Sequence, residues 1–360
     1  MHGRQFFSRY LLAAICAGKL FAQSAHDTLP IPNDPLELAT GPVSLADTPE
    51  KRTAALALLE QARQNFNLRA PGSAPYDIKV SFNASGTTQY SGPGEMEEIS
   101  TTRNTRWTAH LGSYSQLRIF ADGTAYDTHP STYLPLRLQM LRQAIFWPIS
   151  GRFPNASIRS ASAVWKGAPV SCVLLSRAGP EATASPGRRW QEEEFCIDRK
   201  TGLLHTYSVA PGMYNVYDYN GAIEFHGRVF PRQLSVMVAG ATVLQVQIDS
   251  LTDLASFDPK LFERSEDMNG PAIVIRGPER LSQVAPHSPA LGSGLTQPVI
   301  VHAVLSIEGK PLEAEVLQTA NPTLAEAALE IVKNTQYRRA EEPIQREVFI
   351  NVQFMASAEN

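Results

Sequence analysis

The sequence predicts an α+β protein of two unequal modules, in which a large antiparallel sheet wraps around helices and a small ββαβ unit follows. Three observations predict this class. Between residues 76 and 251, apolar and polar residues alternate in short segments that turn residues separate about every 8 to 12 positions. Two segments with helical periodicity, 48–66 and 135–146, accompany these strands. Residues 266–297 are rich in proline and glycine and predict a linker before the last module.

Composition excludes several classes of protein. A length of 360 residues fits two domains, at about 100 to 200 residues each. The 32 basic and 35 acidic residues give a formal net charge of −3, which creates no general attraction for nucleic acid or an anionic membrane. With 43% hydrophobic and 19% charged residues, the chain is neither a disordered polyelectrolyte nor a multi-span membrane protein.

The N-terminus has the pattern of a secretory signal. Two arginines precede an apolar run that Lys19 interrupts after about nine residues, whereas a spanning helix needs about 20. We expect a cleavable signal peptide over residues 1–22, with cleavage after Ser24 or Ala25 as alternatives, and a periplasmic protein. An uncleaved inner-membrane anchor is the less favoured alternative.

The large domain is expected over residues 48–265, after a flexible tether at 23–47 that contains prolines and no periodicity. Thr48 is a suitable N-cap, with Pro49 at the first helical position of an amphipathic helix that reaches Phe66. The strands expected after it are 76–83, 97–110, 115–120, 124–128, 157–165, 169–176, 189–198, 203–209, 214–219, 222–229, 232–238 and 242–251. The apolar helix 135–146 interrupts this series.

Two of the three cysteines predict a disulfide. If Cys16 leaves with the signal peptide, Cys172 and Cys196 remain in an oxidising compartment, where an even number favours a bridge. The strands around them form a hairpin centred near Ala184, which places the two residues opposite each other and within disulfide range. Two buried free thiols are the alternative.

Two phrases and the element order point to a known family. The phrases are Cys196-Ile197-Asp198-Arg199-Lys200-Thr201-Gly202-Leu203-Leu204 and Phe225-His226-Gly227-Arg228-Val229-Phe230-Pro231. Together with the order helix, strands, apolar helix, strands, they resemble the periplasmic lipoprotein carriers of the LolA/LolB type, in which an unclosed β-barrel holds acyl chains under a helical lid. The resemblance implies a lid or cavity wall for a lipid or acyl chain, formed by Leu136, Leu138, Leu141, Ile145, Phe146 and Trp147. Ordinary packing of this helix on a sheet is the alternative.

The C-terminal module, 298–356, has the strongest local signals. A strand at 299–307, an acidic-glycine turn and a strand at 312–319 predict a hairpin. Asn321-Pro322 then starts a helix with regular apolar spacing, and a last amphipathic strand follows.

These residues resemble the TonB C-terminal domain. The matching phrases are Glu308-Gly309, Glu315-Val316-Leu317, Asn321-Pro322, Leu324 to Lys333, Tyr337-Arg338 and Val348 to Phe354. Arg339 stands where the family has a proline before Ala340. The resemblance implies a module that adds a partner's strand at a sheet edge, with an envelope protein such as a TonB-dependent outer-membrane receptor as partner. The implied edge strand consists of Glu347, Val348, Phe349, Ile350, Asn351, Val352, Gln353 and Phe354.

The sequence contains none of the common catalytic or metal-binding motifs: Gly-x-Ser-x-Gly, His-Glu-x-x-His, a phosphate loop, or Cys/His metal spacing. The acidic triplet 192–194 is interpreted as a solvated strand rather than a cation site, because alternate strand residues face opposite sides. We therefore expect a non-enzymatic protein without metal or cofactor. Its main predicted function is protein interaction in cell-envelope or outer-membrane transport, and the alternative is a LolA-like carrier or binder of lipid.

Overall fold

The computed structural model describes residues 37–38, 44–46, 48–70, 72–86, 90–128, 134–151, 153, 156–176, 192–210, 212–238, 240–254, 256–270, 280–282, 296–318, 322–340 and 346–355. The signal peptide predicted at residues 1–22 and the hairpin loop around Ala184 lie outside these residues. None of the described helices is long and apolar enough to cross a bilayer.

The described residues form three α-helices, α1 Pro49–Phe66, α2 Leu136–Phe146 and α3 Pro322–Lys333, and a short 3₁₀ helix at Pro259–Phe262. α1 begins as predicted, since the Thr48 side chain accepts a hydrogen bond from the Lys51 N–H at 3.3 Å. A cap of this kind satisfies one of the N–H groups that have no partner within the helix.

The strands, in chain order, are β1 Glu37–Leu38, β2 Ser44–Leu45, β3 Tyr76–Ala84, β4 Gly92–Ser100, β5 Thr105–Leu111, β6 Tyr114–Ala121, β7 Thr124–Asp127, β8 Ser157–Trp165, β9 Ala168–Ser176, β10 Glu192–Ile197, β11 Leu204–Ala210, β12 Met213–Asp218, β13 Ile223–Phe225, β14 Arg228–Phe230, β15 Gln233–Val238, β16 Ala241–Asp253, β17 Arg280–Ser282, β18 Thr296–Leu305, β19 Pro311–Gln318, β20 Gln336–Tyr337 and β21 Arg346–Met355.

Fourteen of these strands form one large antiparallel sheet, as the sequence predicts. Its order is β1, β8, β9, β10, β11, β12, β15, β16, β3, β4, β5, β6, β7, and β2 also pairs with β8. The centre of the sheet joins the first long strand, β3, to the last one, β16, with Tyr76 opposite Asp253. Among the described residues no pairing joins β7 to β1, β2 or β8, so the described sheet is open.

The core lies between one face of this sheet and the helices α1 and α2. Every second residue of β3 is buried, which is the alternation that the sequence predicts. α1 contributes Ala55, Leu59, Ala62 and Phe66 to the same core. α2 contacts β15 and β16 near the middle of the sheet. The two helices therefore cover the face on which the buried side chains converge.

Two expected strands are hairpins instead. Residues 97–110 are divided between β4 and β5, because the Thr101 side chain accepts hydrogen bonds from the N–H groups of Arg103 and Asn104 and closes a turn. Residues 222–229 are divided between β13 and β14. The turn residues His226 and Gly227 both have positive φ, 47° and 74°, as a two-residue hairpin turn requires.

The predicted tether and linker both contain strands. β1 and β2 lie within residues 23–47 and pair with β8, so these parts of the tether belong to the edge of the large sheet. β17 lies within residues 266–297 and pairs with β20 of the C-terminal module. In each case a strand of two or three residues is too short to produce a periodic pattern.

The structure joins Cys172 and Cys196 in the predicted disulfide. The two residues are directly opposite in the β9–β10 pair, and their Cα atoms are 4.0 Å apart. The acidic triplet beside the bridge differs from its prediction, because Glu192 and Glu194 are buried rather than solvated. Arg159 on β8 donates two hydrogen bonds to Glu192, at 2.7 and 2.5 Å, and compensates its charge.

The C-terminal module follows the predicted ββαβ order, with β18, β19, α3 and β21. Its sheet has the order β19, β18, β21. Its core is formed by Val299, Val301, Ala303, Leu305, Leu324, Ala328, Ile331, Val332, Tyr337, Ile350, Val352 and Phe354.

The C-terminal module contacts the large domain through β19 and β18. Leu317 and Ile300 pack against the core of the large sheet. Arg137, in the first turn of α2, is buried and forms an ion pair with Glu315 on β19. The Arg137 Nε also donates to the Ser85 carbonyl at 3.0 Å. The α2 N-terminus therefore binds both modules.

Candidate ligand-binding site

A pocket of about 330 Å³ lies between the end of α1 and the segment after α2. Its lining residues are Arg63, Phe66, Asn67, Phe146, Trp147, Ile149, Ser150 and Gly151. α2 ends at Phe146 because Pro148 follows, and the residue before a proline is disfavoured in helical conformation. The Trp147 side chain thus leaves the helix and lies at the rim of the pocket, 39% exposed.

One wall of the pocket belongs to a group of packed aromatic rings. The ring of Phe66 packs edge-on against Tyr217 at a centroid distance of 5.3 Å and against Phe230 at 5.9 Å. Phe146 and Trp147 contact each other at 5.6 Å. Edge-on contacts of this kind favour defined ring orientations, so the pocket has a preformed aromatic lining.

The six residues expected to form a lid or cavity wall divide into two groups. Leu136, Leu138, Leu141 and Ile145 are buried in the core of the large domain. Phe146 and Trp147 line the pocket, and of the six only Trp147 is exposed.

The buried carboxylate Glu98 binds Arg69, the arginine that contacts Phe146 and Trp147. Glu98 on β4 is fully buried, and it accepts hydrogen bonds from Arg69, one of them from Nε at 2.8 Å, and from the Tyr76 hydroxyl at 2.6 Å. Burial and then the negative charge of Glu98 raise the pKa of Tyr76, which keeps the hydroxyl protonated as a donor. The guanidinium carbon of Arg69 is 4.8 Å from the ring centroid of Phe146 and 4.7 Å from that of Trp147.

A second guanidinium, Arg142 on α2, lies between two indole rings. Its central carbon is 4.9 Å from the ring centroid of Trp107 and 5.4 Å from that of Trp147. Burial lowers the pKa of Arg142 to about 10, Glu98 opposes this, and the charges of Arg69 and Arg118 add to it. Arg142 is therefore still charged at neutral pH.

The third arginine of this group, Arg118 on β6, is paired. Its Nε donates to Asp127 on β7 at 2.6 Å. Gln116 donates to both oxygens of Asp127, at 2.9 and 2.8 Å. Because Glu98, Trp107, Arg118 and Asp127 are successive cross-strand partners, they lie on one face of the sheet. Sequence reasoning missed these residues together with Arg69 and Arg142, since they come from four strands, from α2 and from the segment after α1, and no local spacing connects them.

The implied edge strand lies in β21, which pairs along its length with β18. Ile350, Val352 and Phe354 face the module's core, Val348 packs against it, and Phe349 and Asn351 are exposed on the other side. The structure describes the backbone but not the side chains of Glu347 and Gln353. Among the described residues no strand pairs with the outer edge of β21.

Family models and curated proteins give no match to the chain. Among solved structures, it is similar to a LolA superfamily protein from Nitrosomonas europaea, at 11% identity and a TM-score of 0.36 over 58% of this chain and 97% of that one. A putative outer membrane lipoprotein-sorting protein domain from Vibrio parahaemolyticus matches at 9% identity and a TM-score of 0.35, over 58% and 97% of the two chains. In the complex of Pseudomonas aeruginosa MucA/MucB, the matching chain has 11% identity and a TM-score of 0.30, over 80% of this chain and 100% of that one. The TonB resemblance stays a prediction.

Proposed function

We propose that this chain is a non-enzymatic binding protein of the periplasm that holds one apolar chain or ring in the pocket between α1 and α2. The observation that carries the proposal is the aromatic lining formed by Phe66, Phe146 and Trp147, with Trp147 open to solvent. A large exposed aromatic side chain at the rim of a concave site is typical of ligand contact.

The size of the pocket limits the ligand. Ligand pockets usually have volumes of about 300 to 1,000 Å³, so a volume of about 330 Å³ is at the lower end. The leucines that would widen a cavity under α2 are instead packed in the core. The pocket therefore fits a single chain end better than several acyl chains side by side.

The proposed compartment rests on two independent features. The N-terminal residues have the pattern of a signal peptide, and the Cys172–Cys196 disulfide is of a kind that persists in oxidising compartments. Both features favour an exported protein over a cytoplasmic one.

The test uses N-phenyl-1-naphthylamine, an uncharged probe whose fluorescence rises in apolar surroundings. We expect saturable binding by the wild-type protein and a loss of about tenfold in affinity for Trp147→Ala, which removes roughly 1.5 kcal/mol of aromatic contact. The matched control is Phe120→Ala, which removes an exposed aromatic ring outside the pocket. Absence of saturable binding, or equal affinity in Trp147→Ala, contradicts the proposal.

A second candidate function is partner binding by strand addition at β21. The observation that favours it is the outer edge of a 10-residue strand with which no described strand pairs and on which Phe349 is 51% exposed, since native proteins usually protect such edges. The TonB resemblance suggests an outer-membrane receptor as the partner.

Photo-crosslinking from Asn351 in cells tests this second function. We expect an adduct with an outer-membrane receptor that Phe349→Lys abolishes, because a lysine on an edge strand opposes further pairing. Leu312→Lys, at an exposed position on the opposite edge strand β19, is the control. An adduct that survives Phe349→Lys but not Leu312→Lys would place the partner on the other edge.

A further inference from the structure

The arginines behind the pocket outnumber their carboxylates. We define the arginine cluster as Arg69, Arg118 and Arg142, together with the two described carboxylates that face them, Glu98 and Asp127. Glu98 pairs with Arg69, and Asp127 pairs with Arg118. Arg142 has no carboxylate in hydrogen-bond contact among the described residues, although it is half-buried. The cluster thus carries one positive charge without a direct partner.

The unpartnered polar atoms of the arginine cluster and of its neighbours Trp107 and Gln116 are mainly donors. Within this group, the buried nitrogen atoms that have no hydrogen-bond partner among the described residues are Nε of Arg142, Nη2 of Arg118 and Nε1 of Trp107. In the same group, one buried acceptor atom has no described partner, Oε1 of Gln116. Buried donors without a partner are costly and therefore uncommon. A ligand with several acceptor oxygens and a negative charge would satisfy both the donors and the excess charge.

The arginine cluster and the pocket share two rings. Phe146 and Trp147 line the pocket; the guanidinium group of Arg69 contacts both side chains, and that of Arg142 contacts Trp147. An apolar chain in the pocket and a charged group at the cluster would thus lie on the same aromatic pair.

We propose that the arginine cluster binds the anionic oxygen atoms, carboxylate or phosphate, of an amphiphile whose apolar part occupies the pocket. The inference rests on the proposed function and adds a ligand class to it. Arg142 supplies the unpaired charge, and Trp107 and Trp147 hold its guanidinium in place.

Competition against the naphthylamine probe tests the head group. Laurate and dodecyl phosphate carry an anion on a 12-carbon chain, and dodecanol carries the same chain without charge. We expect the two anionic compounds to compete about 10- to 100-fold better than dodecanol, the usual range for charge-assisted hydrogen bonds. Arg142→Met should remove this preference, measured as the ratio of the dodecanol and laurate competition constants within the same variant, so that a change in probe affinity cancels. Arg106→Met is the matched control, since Arg106 pairs with Glu97 on the opposite face of the same sheet.

The outcomes separate the two proposals. Loss of probe binding in the wild type overturns the proposed function. Probe binding with equal competition by laurate, dodecyl phosphate and dodecanol, or an anion preference that Arg142→Met retains, overturns the head-group inference alone. Calorimetry with inorganic phosphate distinguishes a free phosphate ion from the head group of an amphiphile. If inorganic phosphate binds with the same affinity as dodecyl phosphate, the proposal that the ligand is an amphiphile is overturned.

Folding of the variants provides a further check. Arg142→Met removes a half-buried charge that has no carboxylate partner among the described residues, so we expect a melting temperature at or above that of the wild type. If Arg142→Met does not fold, Arg142→Lys tests whether the Arg142 guanidinium determines the preference for anionic compounds. It keeps the charge but loses the planar fork, and it should lower the anion preference severalfold. An unchanged preference in Arg142→Lys would contradict a role for the guanidinium.

Discussion

Replacement of Glu98 by glutamine tests whether the buried carboxylate holds the arginine cluster together. Glu98 is fully buried, and it accepts hydrogen bonds from Arg69 and Tyr76. The substitution preserves the shape of the side chain but leaves the Arg69 guanidinium without an opposite charge. It also leaves three guanidinium groups facing one carboxylate, that of Asp127.

The expected loss in free energy of unfolding for Glu98→Gln follows from the burial of the ion pair. Removal of one partner of a buried ion pair costs about 3 to 5 kcal/mol. Because the side chain of Arg69 remains 27% exposed, water screens part of the unbalanced charge, and we expect a cost near 3 kcal/mol. For a domain of this size such a loss lowers the melting temperature by about 6 to 12 °C.

Urea denaturation followed by circular dichroism measures this cost. The adjacent Glu97→Gln is the control, since Glu97 lies on the outer face and pairs with partly exposed Lys79 and Arg106, so its loss should cost less than about 1 kcal/mol. The double variant Arg69→Met/Glu98→Gln removes both charges and should recover at least half of the stability. A cost below about 1 kcal/mol for Glu98→Gln, or additive costs in the double variant, would refute the reasoning.

Three further predictions concern the connections between elements. Glu315→Gln leaves the buried Arg137 uncompensated, so hydrogen exchange in β19 should become faster while β3 stays protected; equal protection of β19 would argue against a stabilising contact between the modules. Cys172→Ala removes a disulfide between residues 24 positions apart, and it should lower the free energy of unfolding by about 3 kcal/mol in chemical denaturation. The internal control is the wild-type protein with its disulfide reduced, which should have the same free energy of unfolding as the variant. Gly309→Ala should cost at least about 1 kcal/mol by thermal denaturation, because Gly309 has a φ of +81° and a Cβ there would lie 2.1 Å from the Tyr337 carbonyl oxygen; wild-type stability would contradict this.

Alternation and turn chemistry were sufficient to predict the regular part of the fold. The burial of every second residue in β3 and the opposition of Cys172 and Cys196 both follow from the period of two in a strand. The same rule failed at residues 97–110, since alternation continues across a turn that a threonine side chain closes. Local pattern cannot distinguish one long strand from a tight hairpin when the turn lacks glycine or proline.

The candidate site was only partly predictable. The sequence predicted an apolar helix over 135–146, and the structure places Phe146, at its end, and Trp147, which follows it, at the pocket. Arg142 lies on the same helix, but in a sequence it resembles an ordinary solvent-facing residue. Its position over Trp107 depends on how α2 crosses a strand that is remote in sequence, which is a tertiary property that helix periodicity does not encode.

The pairing of β3 with β16 determines when the large domain can fold. These strands are neighbours at the middle of the sheet, yet almost the whole domain lies between them in sequence. Contacts between such distant segments slow folding, and until β16 is available β3 presents a free edge to other chains. A chain that ends before β16 would lack the centre of its sheet rather than its border. The last long strand of the domain is therefore the one on which its cooperative folding depends.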